Sequence, residues 1–543
     1  MKRRDFLTAT AVLGAAPFIG CGRNSAAILP PGTLGGSGFG AGHRLREKAF
    51  GQPSEFRKLP LLIIGAGVAG LSAAWRLDRA GFKDYLILDL EDQVGGNARH
   101  GQNGVSAYPL GAHYLPLPTR EATAVRELLS DLGALAGDAR AERPSYDERL
   151  LCHSPQERIY RDGIWEEGLL PRLGADRAER DQFARFHERM DEFKAARDFL
   201  GRRAFALPVA LASRDARWLG LETVTMAEWL VANGFNSERL HWYVNYACRD
   251  DYGTDYRQTS AWAGIHYFAC RNGQAANAAA DAVLTAPEGN GWIVGRLLER
   301  VRDRVVTGAL CHRLSQSSQA VAADVWLAAE NRSVRYLAGQ AIWAAPLFVL
   351  PHVAEGLPEG VAAVARGGDY APWLLANLSL RELPSPGAGA PLSWDNVLYD
   401  APGLGYVVAT HQNVRIAPGP TVLTYYRPLS ELPSSKAREM LLATSREAWA
   451  SEILDELSRA HGDLRALTTQ LDVFRHGHAM IRPTPGVIHD PARQALTRGW
   501  GRIHFAHADL SGLSLFEEAN YHGVRAGEAV MSRLAIPYST FLA

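Results

Sequence analysis

From Leu61 the chain runs Leu-Leu-Ile-Ile and stops at Gly65. A short apolar block closed by glycine reads as a buried strand. Apolar positions then recur at helical spacing from Leu71 to Gly81, and a second apolar block, Tyr85 to Leu88, ends at Asp89. The pattern predicts strand, tight turn, helix, strand, acid. Charged helical periodicity follows from Arg120 to Gly201, as in Glu121 to Leu132 and Asp176 to Asp198, and again from Thr223 to Ala247. Those charge runs read as solvated helix faces. Strand patterns return at Ala322 to Ala328 and Gln340 to Ala344, then at Tyr406 to Thr410 and Thr421 to Tyr425. Ser445 to His461 reads as a helix. Arg502 to Asp509 reads as a last buried strand that leads into a C-terminal helix.

The first turn is Gly65-Ala-Gly67-Val-Ala69-Gly70, a G-x-G-x-x-G in the strand–helix context that gives the motif its meaning. Gly65 permits the tight turn, Gly67 lets the backbone approach a pyrophosphate, and Gly70 lets helix and strand pack closely. Ala69 belongs to the same cofactor-binding stretch. The helix N-terminus holds the anion, and Asp89 is placed to accept ribose hydroxyls. The motif alone does not choose between NAD and FAD.

The following segment, Leu-Glu-Asp-Gln-Val-Gly95-Gly96-Asn97-Ala-Arg99, resembles the flavin-containing amine oxidase and phytoene desaturase superfamily. There a second glycine pair and a following Arg lie against the cofactor phosphates and ribityl chain. Asn97 stands where the family usually has that Arg, so the resemblance moves the phosphate contact to Arg99. It also implies that Asp509 meets the ribityl or phosphate region, with Glu518, Ala519 and Asn520 near the flavin ring. The strand Val305 to Leu314, with Cys311, would meet the adenine. The implied fold is α/β: an FAD-binding Rossmann-like domain from residues 59–115, 271–346 and 476–543, and an α+β substrate domain from 116–270 and 347–475.

The N-terminus opens Met-Lys2-Arg3-Arg4-Asp-Phe6-Leu7, with a short apolar stretch running to Cys21. Basic start and apolar core describe a secretory signal over residues 1–21. The paired arginines resemble a twin-arginine export signal, which implies a periplasmic protein. Ile-Gly-Cys21 resembles a lipoprotein cleavage box, which would tether the chain to the membrane through Cys21. Residues 22–58, rich in Gly, Pro and Ser, read as a linker. The remaining cysteines, Cys152, Cys248, Cys270 and Cys311, form no C-x-x-C pair and read as buried thiols.

Acidic and basic residues balance at 58 each. That leaves none of the basic excess a nucleic-acid surface needs. Six of the basic residues are lysines, none between Lys194 and Lys436. Many flavin amine oxidases hold a Lys near flavin N5 on the strand after the segment equivalent to Ala341–Pro351. Here Arg366, or no cation, must fill that space.

Candidate chemistry falls in clusters. His241-Trp242-Tyr243-Val-Asn-Tyr246 precedes Asp250, Asp251, Tyr252 and Trp262. Tyr370 and Trp373 lead to Trp394 and Tyr406, and Tyr425-Tyr426 form a third aromatic group. Aromatic walls tolerate a cationic substrate, and Asp250 with Asp251 could receive an amine or polyamine. Among histidines, His113 in Gly111-Ala-His-Tyr114 is the first candidate to face the substrate and His478 the second. His476-Gly-His478 lacks a third ligand by spacing, so no metal is expected. The expected function is exported, FAD-dependent oxidation of an amine by hydride transfer to flavin N5. The alternatives are a flavin desaturase or isomerase of an apolar substrate, and a non-catalytic flavin-bound partner subunit. Carboxylates among aromatics in the pocket favour the amine, and an unbroken apolar tunnel favours the lipid.

Overall fold

The computed structural model describes residues 29–48, 50–414, 417 and 419–542. The expected signal, with Cys21, lies outside them. Two large sheets organise the chain.

In the first sheet Glu55–Ile64 lies parallel between Tyr85–Leu88 and Arg332–Trp343, with Ile63 opposite both Ile87 and Ile342. Leu61, Leu62 and Ile63 have no accessible surface. A parallel strand covered on both faces must be apolar throughout, which is the block seen in the sequence. Val305–Val306 extends one edge, and Ile503–Phe505 runs parallel beside the end of Arg332–Trp343. The sequence shows only the last residues of that strand. Its first half pairs with Val321–Leu327 and alternates buried with partly exposed positions, so its pattern is masked by Arg332 and Arg335.

Val68–Arg79 and Phe516–Arg533 are adjacent helices over this sheet. They meet closely at Gly523, where a Cβ would lie 2.2 Å from the Ala69 carbonyl oxygen. The helix Thr123–Asp131 buries Leu128 and Leu129 in the same core as Leu71 and Val524. This part of the segment expected in the substrate domain therefore packs with the nucleotide domain.

The second sheet has eight strands, in the order Leu34–Gly36, Thr468–Ile481, Tyr370–Leu380, Thr421–Pro428, Tyr406–Val408, Asp395–Leu398, Glu157–Arg161 and Ile164–Glu167. A core that includes Trp449 and Ile453 of Arg446–Ser458 and Ala437 of Ser434–Ala443 lies against it. Another core joins the sheet to Glu238–Tyr252 through Tyr246. That helix also packs with Arg177–Ala195 and Ala261–Cys270 in a core containing Phe186 and Trp262. Thr468–Ile481 is continuous, so the expected boundary at 476 falls inside a strand.

The linker reading of 22–58 gives way across its described part. Leu34–Gly36 pairs with Val473–Arg475, and Phe39–Glu47 is a helix that buries Leu45. Neither has a strong local pattern. The strand's partners lie more than four hundred residues away and supply the backbone hydrogen bonds.

Gly523→Ala forces a methyl into the helix contact and should cost about 1–3 kcal/mol, read as a fall in Tm and in urea midpoint. Gly477→Ala, whose Cβ would meet only the Arg438 side chain at 3.8 Å, serves as the control.

Candidate functional site

The G-x-G-x-x-G turn is built as its residues require. Gly65 has φ +108°, and a Cβ there would lie 2.7 Å from the Ala344 carbonyl carbon. At Gly70 a Cβ would lie 1.9 Å from the Gly65 oxygen. Gly67 caps Val68–Arg79 and bridges to Gly95 of the second glycine turn. Gly96 has φ +56°, and its Cβ would stand 3.3 Å from the Gly67 Cα. Two glycine turns thus face each other across a floor without side chains. Gly67, Gly96 and Asn97 keep accessible surface there. The floor and the helix N-terminus together fit a dinucleotide pyrophosphate.

Asp89 accepts from the Ala66 N–H at 2.6 Å and the Glu91 N–H at 2.9 Å, which ties the turn to the second strand. Burial pushes its carboxyl up to about 6, against the pull of those two N–H groups. Ala69 is buried beneath Gly523.

Several expected contacts take other partners. Arg99 is buried, pairs with Glu91 at 3.0 Å, and donates from Nε to the Gly96 oxygen at 3.0 Å. It braces the second glycine turn. Cys311 packs in the core behind the sheet, and burial pushes its thiol up to about 12. Asp509 has no accessible surface. Its Oδ2 accepts from the Leu347 N–H at 2.9 Å and the Tyr370 hydroxyl at 2.7 Å, so it joins three segments. Glu518 is equally enclosed, accepts from the Val209 N–H at 2.7 Å, and is bonded to Ser511. Asn520 donates to Ser72 at 3.0 Å and fastens the two glycine-packed helices. Of this C-terminal group, Ala519 keeps accessible surface, as do Ser514, Leu515 and Phe516 just before it.

A second feature lies between the helix Glu238–Tyr252 and the eight-stranded sheet. Asp250, Asp395, Glu157, Arg271, Tyr114, Tyr267 and His113 sit deep among protein atoms yet keep part of their surface accessible. Side chains that are both enclosed and accessible line an internal hollow. His113 stacks on Tyr426 at 4.3 Å, and Trp394 stands 5.6 Å from His113 and 5.9 Å from Tyr114. Trp242 and Tyr246, one helical turn apart, stack at 5.7 Å on the same side.

The electrostatics are one-sided. Arg271 donates to Asp251 at 2.5 Å and to the Tyr114 hydroxyl at 3.3 Å, and the Tyr114 hydroxyl donates to Asp250 at 3.2 Å. Burial, reinforced by Asp251, pushes Asp250 up to about 7. Burial and the carboxylates of Asp250 and Glu157 hold Asp395 well above the usual carboxylate range. Glu157, directly across the strand pair from Asp395, is pushed by burial to about 7. Burial lowers His113 to about 4, so its ring is neutral at pH 7.

His113, the first candidate to face the substrate, lies in the hollow with Asp250, Asp251, Tyr246, Trp394 and Tyr426. His478 stacks on Phe348 at 4.5 Å, beside the Tyr370–Asp509 pair. Trp262, Tyr252, Tyr406 and Tyr425 belong to packing cores. Arg366 does not replace the missing Lys: it is exposed and pairs with Glu359 at 2.5 Å. Tyr370–Leu380 itself carries no cation. Glu157, Asp395 and Arg271 were not anticipated. Asp395 follows Trp394 in the sequence, but no spacing links it to Asp250.

The family of NAD(P)-binding Rossmann-like domains matches residues 63–132, the stretch holding both glycine turns. No curated protein matches the chain by sequence. Among solved structures, putrescine oxidase bound to putrescine superposes with a TM-score of 0.63 at 15% identity, over 88% of this chain and 100% of that one. Cyclohexylamine oxidase from Brevibacterium oxydans gives 0.63 at 18% identity, over 88% and 99%. The fold is that of the amine oxidases. A fatty acid isomerase from P. acnes shares it, with a TM-score of 0.59 at 14% identity over 88% and 98%. The amine-oxidase fold therefore frames the site without fixing its chemistry.

Asp395→Asn tests the cost of the hollow's charge. A carboxyl raised in the folded state binds more protons than in the unfolded chain, so above pH ~4 its stability contribution falls as pH rises. The variant should melt higher than the parent at pH 8, with the difference shrinking towards zero at pH 4.

Proposed function

We propose that the protein is an exported, FAD-dependent oxidoreductase that oxidises an amine. One observation carries the reading: the carboxyl groups of Asp250, Asp395 and Glu157 share an aromatic-walled hollow with one guanidinium, which Asp251 already holds. Such a hollow attracts a cationic nitrogen and disfavours an alkyl chain laid against buried charge. The fold relatives that act on putrescine and cyclohexylamine support it. The glycine floor supports a dinucleotide, and the accessible residues Ser514, Leu515, Phe516 and Ala519 support a flavin ring beside it.

FAD, when bound, supplies the acceptor for the hydride that leaves the substrate's α-carbon. The chain supplies position and protonation. Tyr426, His113 and Trp394 form flat walls that exclude water. His113, being neutral, does not repel the ammonium. Asp250 attracts the ammonium as a carboxylate, and with a pKa near 7 it can take the proton that must leave before the nitrogen reacts. Tyr114 holds the Asp250 oxygen in place. Arg271 pairs with Asp251 and also pulls on Asp250 and Glu157, but not enough to offset their burial.

The purified protein should be yellow and should bleach anaerobically on titration with an amine. A broad amine panel that leaves the flavin oxidised overturns the substrate reading and spares the cofactor. Gly96→Val should give a colourless protein with a lowered Tm, since a branched side chain would fill the floor and is strained at this positive φ. Asp250→Asn should keep the flavin spectrum and lower kcat/KM for the amine roughly tenfold to a hundredfold. In the parent kcat/KM should rise between pH 6 and 8 as Asp250 ionises, and that rise should flatten in the variant. Export is tested by cell fractionation of the full chain against an Arg3→Lys/Arg4→Lys variant.

A further inference from the structure

Phe199 is 90% exposed and Leu200 is 61% exposed, side by side at the tip of a hairpin. The hairpin is rigidly made. Arg197 and Arg203 bridge in antiparallel fashion, and Ala204 N–H donates to the Ala196 oxygen at 2.9 Å. Gly201 N–H donates to the Asp198 oxygen at 2.9 Å and closes a four-residue turn with Phe199 and Leu200 at its centre. Asp at the first position and Gly at the last are the residues such a turn favours. Beneath it the buried Asp198 carboxylate accepts from the Leu200 and Arg202 N–H groups at 2.9 Å each, from Arg202 Nε at 2.8 Å, and from the Ser213 hydroxyl at 2.9 Å. The two apolar side chains are held outward by a fixed scaffold.

The surroundings are basic. Arg197, Arg202, Arg214 and Arg217 are all exposed. Arg197 donates to the Gly201 oxygen at 2.9 Å, and Arg217 reaches the Arg197 oxygen at 3.4 Å. The carboxylates paired with this group are Asp198 and Asp215, so the collar keeps positive charge.

We propose that this tip is a membrane-docking element: Phe199 and Leu200 enter the interfacial region of an anionic bilayer while the arginine collar meets the lipid phosphates. A narrow convex tip offers a protein partner far less than the roughly 800 Å² per side of an ordinary stable interface. A bilayer accepts a protrusion of any shape, and apolar residues ringed by basic ones are the composition that binds it. Among the described residues no helix is long and apolar enough to cross a membrane, so the contact is interfacial. The inference is independent of the proposed reaction.

The test uses the full chain carrying Cys21→Ser, which removes any acyl anchor there. Its partition is measured by co-sedimentation with vesicles of phosphatidylcholine alone and of phosphatidylcholine with one quarter phosphatidylglycerol. Binding is expected on the anionic vesicles, weaker at high salt. Phe199→Ser/Leu200→Ser should weaken it about tenfold or more with Tm unchanged. Arg197→Gln/Arg214→Gln should weaken it several-fold and reduce its salt dependence. The proposal is overturned if the parent binds neither vesicle, or if the tip variant partitions like the parent. It is also overturned if the tip substitutions dissolve a dimer and leave vesicle binding intact, which would make the tip a contact between copies.

Discussion

The contact of the two glycine turns is the constraint around which the nucleotide half is arranged. Gly67 and Gly95 bridge, Gly95 and Gly96 both hold a positive φ that glycine tolerates without strain, and a Cβ on Gly96 would press on the Gly67 Cα at 3.3 Å. Asp89 fixes the arrangement by taking the Ala66 N–H inside the first turn while the second strand positions its backbone. The helix that starts at Gly67 then has a fixed axis, and the C-terminal helix can approach it at Gly523. Chain ends more than four hundred residues apart are joined there through Asn520 and Ser72. A side chain on Gly96 would press on the first turn as well as cover the floor, so there the packing requirement and the requirement for an open anion site fall on one residue.

What was legible in the sequence was local. Tyr85–Leu88 has the predicted bounds, and the helices predicted at Glu121 to Leu132 and Asp176 to Asp198 form over Thr123–Asp131 and Arg177–Ala195. In each, periodicity and caps act within a few residues: Asp176 and Glu179 make a capping box that starts the second helix. The role of Arg99 was not legible, because its partner Glu91 is an ordinary exposed-looking acid in the sequence, and only the fold turns it inward. Leu34–Gly36 was missed because a short glycine-rich strand at a sheet edge has almost no pattern of its own. His113 could be found from its place after the glycine pair, whereas Asp395 and Glu157 meet only when two distant strands pair in parallel.

The buried acids separate by how well they are satisfied. For Asp509, burial alone would raise the carboxyl, but His507, the Leu347 N–H and the Tyr370 hydroxyl outweigh it and hold it below the usual range. Its Oδ2 is held by Leu347 and Tyr370, while its Oδ1 faces the His507 ring at 3.1 Å and takes no hydrogen bond. Glu518 remains raised to about 7, yet its oxygens are taken by the Val209 N–H and Ser511, which suits a knot between the C-terminal helix and the helical insertion. Asp250, Asp395 and Glu157 differ. Each faces another carboxylate, and the pull of the Arg271 guanidinium on Asp250 and Glu157 does not outweigh their burial.

That difference argues for a ligand-directed role. Removing a carboxylate from water is costly unless a partner compensates, and like charges add to the cost. A fold selected for stability alone would do better with apolar or amide side chains at these positions. Here acids that raise one another are grouped in one place, with Tyr114 bonded to Asp250 and Tyr246 to Asp395, and with Trp394 and Tyr426 beside them, aromatic surfaces that offer their faces to a cation. A cationic group placed among these acids would supply a counter-charge, which is what the proposed amine substrate would bring.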